Sequence, residues 1–159
     1  GDPRVVIDTQ DESFHFLPWD PRNGSDDIIP SVYHVTNTQG VGLMYRGLDV
    51  ARIFSILKEH NFGGQTCVVK FVIEDGFFHE NGGPVVVGFD RGAPTVLAGS
   101  EIWDVEVRLA VSEFSSLVMG SVGFSSLYAY NLAHISDEGC VEAIDRLFRG
   151  PRPVCFTAF

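Results

Sequence analysis

The chain has 159 residues, 45% hydrophobic and 20% charged, enough for one domain with a sizeable core and a short extra segment. Its formal net charge of −10 argues against nucleic acid, whose phosphates require a basic surface. It suits plain solubility or, alternatively, the steering of cationic, polyamine-like ligands. No apolar run approaches the roughly 20 residues of a membrane span, and no basic start with an apolar core opens the chain, so a soluble cytoplasmic protein is expected.

Residues 3–41 carry short apolar pieces, Val5-Val6-Ile7 and Phe14-His15-Phe16-Leu17, broken by Pro18, Pro21, Gly24 and Pro30. One or two strands with long connections are predicted there. They lack a local partner, and an isolated pair of strands is marginal in water. Their sheet is therefore expected to continue in another subunit or an upstream domain. Asn23-Gly24-Ser25 matches a glycosylation acceptor but reads as a turn.

Met44-Tyr45-Arg46 reads as strand. Asp49 then precedes Val50, Ile53, Phe54 and Leu57 at the spacing of one helical face, with Lys58 and His60 in the last turn and Gly63-Gly64 beyond, which predicts a helix over 49–60. From 65 to 111 the period becomes two. Cys67, Val69, Phe71 and Ile73 alternate with their neighbours, Val85 to Phe89 and Thr95 to Leu97 flank the turn Asp90-Arg91-Gly92, and Trp103 to Val111 alternate again. An antiparallel meander covered on one face is the economical expectation.

Helical spacing returns after Ser112, with Phe114, Leu117 and Val118, and after Gly123, with Phe124, Leu127 and Tyr128. Ser112 is the expected cap of the first. Ser136 or Asp137 caps a longer helix carrying Cys140, Val141, Ile144, Leu147 and Phe148, stopped by Gly150 and Pro151. The chain closes as Val154-Cys155-Phe156-Thr157-Ala158-Phe159, an alternating strand whose apolar end suggests a final carboxylate held inside the structure.

Cys67, Cys140 and Cys155 are odd in number and lie among apolar neighbours. They are expected to be buried free thiols in a reducing compartment. The five histidines are as scattered, and no metal site is expected. The acid pairs Asp26-Asp27 and Glu74-Asp75 sit beside Ser or Gly and read as solvated turns. There is no G-x-S-x-G, H-E-x-x-H or C-x-x-C, which excludes the hydrolase and redox chemistries those motifs carry.

Several blocks together carry a resemblance. Gly42-Leu43-Met44-Tyr45-Arg46, Phe62-Gly63-Gly64-Gln65, Trp103-Asp104-Val105-Glu106-Val107, Glu113 to Gly120, Ile135-Ser136-Asp137 and Asp145-Arg146-Leu147-Phe148 resemble the sterol-carrier-like C-terminal domain of the Eis-type (enhanced intracellular survival) GNAT acetyltransferases. Asp20 to Ser25, Pro30 to His34 and Asn37 to Gly40 resemble the end of the GNAT domain before it. The resemblance implies a division at 1–41 (end of a GNAT domain and linker) and 42–159 (sterol-carrier-like domain). It implies an α+β fold, mainly an antiparallel sheet of about five strands with helices on one face, after an N-terminal segment of one or two strands.

For function, the resemblance implies the C-terminal domain of an acetyl-CoA-dependent N-acetyltransferase acting on a primary amine. Expected partners are the upstream GNAT domains of the same polypeptide, a homo-oligomer and the amine substrate, with no nucleic acid and no membrane. Acetyl-CoA belongs to the parent enzyme and no cofactor to this chain: Gln39, Gly42 and Met44 fail the phosphate-loop pattern at its last position. The α-carboxylate of Phe159 is implied as the base that accepts the amine's proton; alternatively Phe159 only completes a sheet. A second function is a lipid or sterol carrier with an apolar tunnel lined by Phe54, Phe71, Trp103, Phe114, Met119, Phe124 and Tyr128, residues that describe a packed core equally well. A third is a structural domain that holds subunits together and walls off a substrate cleft.

Overall fold

The structure, a computed structural model, describes residues 45–151 and 153. All of them fall in one compact unit spanning 44–153. The expected N-terminal strands, the boundary at 41/42, Cys155 and the terminal strand with Phe159 lie outside the described residues.

Tyr45 and Arg46 belong to no strand, against expectation; their backbone runs irregularly into α1, Val50–Ile56. Asp49 is extended and its carboxylate accepts from the Arg52 N–H at 2.8 Å, which satisfies one of the free donors at the helix start. The helix ends four residues before the predicted His60. Lys58, Glu59 and His60 are all exposed rather than buried in the core, and Leu57 N–H donates to Ile53 O while His60 N–H donates to Leu57 O. Lys58 and His60 follow the helix rather than closing it.

Among the described residues five strands form one sheet, in the order β3-β2-β1-β4-β5. They are β1 Cys67–Glu74, β2 Gly83–Asp90, β3 Ala93–Val96, β4 Val105–Ala110 and β5 Ala133–Ile135. Three pairings are antiparallel and the fourth, β1 with β4, is parallel. The β2–β3 hairpin turns on Arg91 and Gly92, both at positive φ (49° and 87°), as a two-residue hairpin requires. A side chain on Gly92 would also strike the Asn61 carboxamide.

The expected meander holds through β3 and then breaks. β4 passes back to the free edge of β1, where Asp104 N–H donates to Val68 O (2.8 Å) and Val68 N–H to the Asp104 carboxylate (2.6 Å). That reciprocal pair docks the start of β4 beside the start of β1. Among the described residues the fold is α+β with a five-stranded mixed, mostly antiparallel sheet and four helices.

The remaining helices are α2 Val111–Val118, α3 Phe124–Ala129 and α4 Val141–Leu147. Ala110, not Ser112, occupies the cap position of α2; Ser112 sits in the first turn and donates to Glu113. The α3 start is served from α4, whose Asp145 accepts from the Ser125 N–H at 3.0 Å. Asp137 caps a single 3-10 turn, Glu138–Cys140, that leads into α4. Ser136 instead bonds β4, exchanging backbone and hydroxyl bonds with Glu106.

One face of the sheet, with Val69, Phe71, Val87, Phe89 and Val107, packs against the helices. Phe54 of α1 is the hub: its ring lies 5.4 Å from Phe71, 5.7 Å from Phe62, 5.9 Å from Phe89 and 6.0 Å from Phe114. Phe148, just beyond α4, closes the cluster against Phe62 (5.8 Å) and Phe71 (6.0 Å). These separations suit offset and edge-to-face contact, adding to the burial of each ring.

Candidate functional site

Two polar constellations stand out from this apolar frame. The first surrounds Asp75, at the end of β1. Its side chain is 0% exposed, which corrects the expectation of a solvated Glu74-Asp75 turn. Oδ1 accepts from the Arg46 guanidinium (2.6 Å), the Phe78 N–H (2.9 Å) and the Phe77 N–H (3.0 Å), and Oδ2 accepts from Asn81 Nδ2 (3.0 Å). The Phe78 N–H foremost, with Asn81, Phe77 and Arg46, holds this carboxyl well below the usual carboxylate range despite its burial.

The same network reaches the segment that enters the domain. Asn81 Nδ2 also donates to Gly47 O (2.8 Å), and Gly47 N–H donates to the buried Ser115 hydroxyl (2.8 Å). Asn81 Oδ1 is buried without a hydrogen-bond partner among the described residues. The Arg46 guanidinium lies 5.3 Å and 5.8 Å from the ring centres of Phe78 and Phe77, within reach of cation–π attraction. Those two rings touch each other and are 46% and 76% exposed.

The second constellation lies on the sheet face opposite the helices. Lys70 Nζ is 2.9 Å from the Glu106 carboxylate and 4.0 Å from the Trp103 ring centre, and Arg108 reaches Glu106 at 3.1 Å. The hydrogen bond from Lys70 lowers the Glu106 pKa, with Arg108 assisting. A cleft of about 410 Å³ lies beside them, with Lys70, Pro84, Val86, Leu97, Ser100 and Trp103 in its walls. With Lys70 engaged by both a carboxylate and an indole, the arrangement neutralises its own charge.

The residues proposed for an apolar tunnel are distributed differently. Phe54, Phe71 and Phe114 pack ring against ring, and Phe124 is fully buried in the same core. Tyr128 is half-buried at its margin, where a hydrogen bond with Glu138 raises its pKa. Met119 is 41% exposed, and Trp103 lies on the opposite sheet face beside Lys70. Phe159 lies outside the described residues.

Cys67 and Cys140 are free and half-buried. Burial, with Asp104 beside it, pushes the Cys67 thiol up to about 11, and burial with Asp137 raises Cys140. Neither thiol is thus activated as a nucleophile. Among the described residues no group of three or more His, Cys, Asp or Glu could hold a metal ion, and no helix is long and apolar enough to cross a membrane.

The fold has known relatives. The sterol carrier protein domain matches residues 54–156, while no curated protein matches the chain. Among solved structures, Eis1 from Mycobacterium abscessus is 18% identical with a TM-score of 0.50, over 67% of this chain and 26% of that one. A conserved protein from Enterococcus faecalis V583, described as a probable N-acyltransferase, is 18% identical with a TM-score of 0.50, over 60% and 24%. The stereoselective inverting sec-alkylsulfatase Pisa1 from Pseudomonas sp. is 15% identical with a TM-score of 0.50, over 67% and 17%. The chain spans about a quarter or less of the length of each, and at these identities the likeness is one of fold.

Proposed function

The chain belongs to the sterol carrier protein domain family, and from that premise we propose that it is the C-terminal domain of an acetyl-CoA-dependent N-acetyltransferase. In this reading the domain walls a primary-amine site, contributes contacts to a homo-oligomer, works in the cytoplasm, and partners the GNAT domains of its own polypeptide. The observation that carries it is the filled interior. Phe54 meets Phe62, Phe71, Phe89 and Phe114 at 5.4–6.0 Å, and an interior packed ring to ring acts as a rigid wall more readily than as a container. The fold shared with Eis1 and the probable N-acyltransferase supports the same assignment by analogy. Its recurrence in an alkylsulfatase agrees with a domain that serves chemistry supplied elsewhere.

In this reading acetyl-CoA is held by the parent's GNAT domains. Helix starts are the natural seats for a pyrophosphate, but the α1 start is capped by the Asp49 carboxylate and the α3 start by that of Asp145. A phosphate would meet like charge at either. The chain's own contribution is then a proton acceptor. An amine is protonated at neutral pH and must lose a proton before it can act as a nucleophile, and the Phe159 α-carboxylate, ionised above roughly pH 3.5, would take it directly or through one water. The conjugate proton would leave to solvent from the same carboxyl.

Removing Phe159 from the full-length parent tests the assignment, with thiol release during acetyl transfer as the readout. A loss of kcat on the order of 100-fold or more is expected for a general base. Unchanged turnover would remove Phe159 from the mechanism.

A further inference from the structure

The constellation around Asp75 has a geometry that the proposed reaction does not use. We propose that it is a lock: the Asp75 carboxylate, through Arg46 and Asn81, clamps the entry segment 45–48 onto the connection between β1 and β2. This deepens the reading of the domain as one rigid part of a larger enzyme, and rests on it for its purpose alone.

The entry segment lies in no helix or strand, so its backbone groups need partners elsewhere. Gly47 finds both of its own, and the Arg46 side chain adds a third bond. Arg46 donates to Asp75 at 2.6 Å, Gly47 N–H to Ser115 at 2.8 Å, and Gly47 O accepts from Asn81 at 2.8 Å. A Cβ on Gly47 would stand 3.3 Å from Ile53 Cδ1, a tight contact to which the end of the Ile53 side chain would have to yield.

A simpler account is that Asp75 only shapes its own turn by accepting from Phe77 and Phe78, as Asp commonly does. That explains two of its four bonds. The bonds from Arg46 and from Asn81, whose amide nitrogen bridges Asp75 and Gly47, tie the turn to a segment 29 to 34 residues away. One carboxylate therefore sets both, and neither can shift alone. Nor is the cluster arranged for stability. With the Arg46 side chain 39% exposed, the ion pair yields little net stability, and the best-attested value of such a pair is in fixing one geometry.

Hydrogen exchange read by mass spectrometry on the 159-residue chain tests the lock with Arg46→Met, which keeps an apolar stem over Phe78, and with Asp75→Asn. Amides at 46–49 should exchange roughly ten-fold faster or more in Arg46→Met, while β1 and β4 keep their original rates, the signature of local opening. Unchanged exchange at 46–49, or faster exchange everywhere in parallel, overturns the proposal. If Asp75→Asn fails to fold, Arg46→Met alone still decides. Because the readout needs no catalysis, its failure and the failure of the acetyltransferase reading are seen separately.

Discussion

The side chains of Phe54 and Asp75 are both closed to solvent, yet they are held by different physics. Phe54 is surrounded by rings at 5.4–6.0 Å and is held by non-directional burial, which tolerates small shifts but not missing volume. Asp75 is held by four directed bonds, which tolerate little change of angle and yield little net stability. The interior therefore supplies the stability of the domain, and the clasp specifies where a particular stretch of backbone runs.

Phe54→Ala breaks the interior most directly. A loss of about 3–5 kcal/mol is expected for a fully buried phenylalanine, measured by urea unfolding with Phe54→Leu as the milder control. A loss under about 1 kcal/mol would mean the rings are not packed as described. Lys70→Met probes a polar counterpart, the partly buried pair with Glu106 on the opposite sheet face. It should change stability by no more than about 1 kcal/mol, because the methionine still covers Trp103. A change as large as that of Phe54→Ala would show that this face holds the domain together no less than the core does.

The smallest expected effect is that of pH near neutrality. The carboxyls of Asp75 and Glu106 are held below their ordinary values. Their contribution is complete above the unfolded carboxylate range near pH 4 and is lost as pH falls through the depressed folded values. The thermal midpoint should thus stay level between about pH 5 and 8 as far as these groups act, then fall in acid, with a shallower fall in Asp75→Asn. A decline centred near neutrality would assign the pH response to other groups.

Much of the frame was legible in the sequence. Asp49 with Val50 and Phe54 marked α1, alternation marked β1, β2 and β4, and Asp90-Arg91-Gly92 marked the hairpin. Alternation states which side chains point inward but not which strand lies alongside, so the parallel placement of β4 on β1 was hidden. So was β5, whose three residues are too few to show a period. Asp75 was the instructive miss. Residues 67, 69, 71 and 73 set an inward parity that 75 continues, while its neighbour Gly76 suggested a turn; parity won because Arg46 and Asn81 supplied the partners. Those partners lie too far along the chain for spacing to reveal.

The parallel seat of β4 has a consequence for synthesis. As the chain emerges from the ribosome, β1, β2 and β3 can zip by short hairpins, but the second edge of β1 stays unpaired until residues 105–110 arrive. During that interval Val69, Phe71 and Ile73 stand on a strand with open amides and carbonyls, the arrangement most prone to pairing with a stranger. β4 is thus both a structural strand and the step that ends the nascent domain's most vulnerable moment.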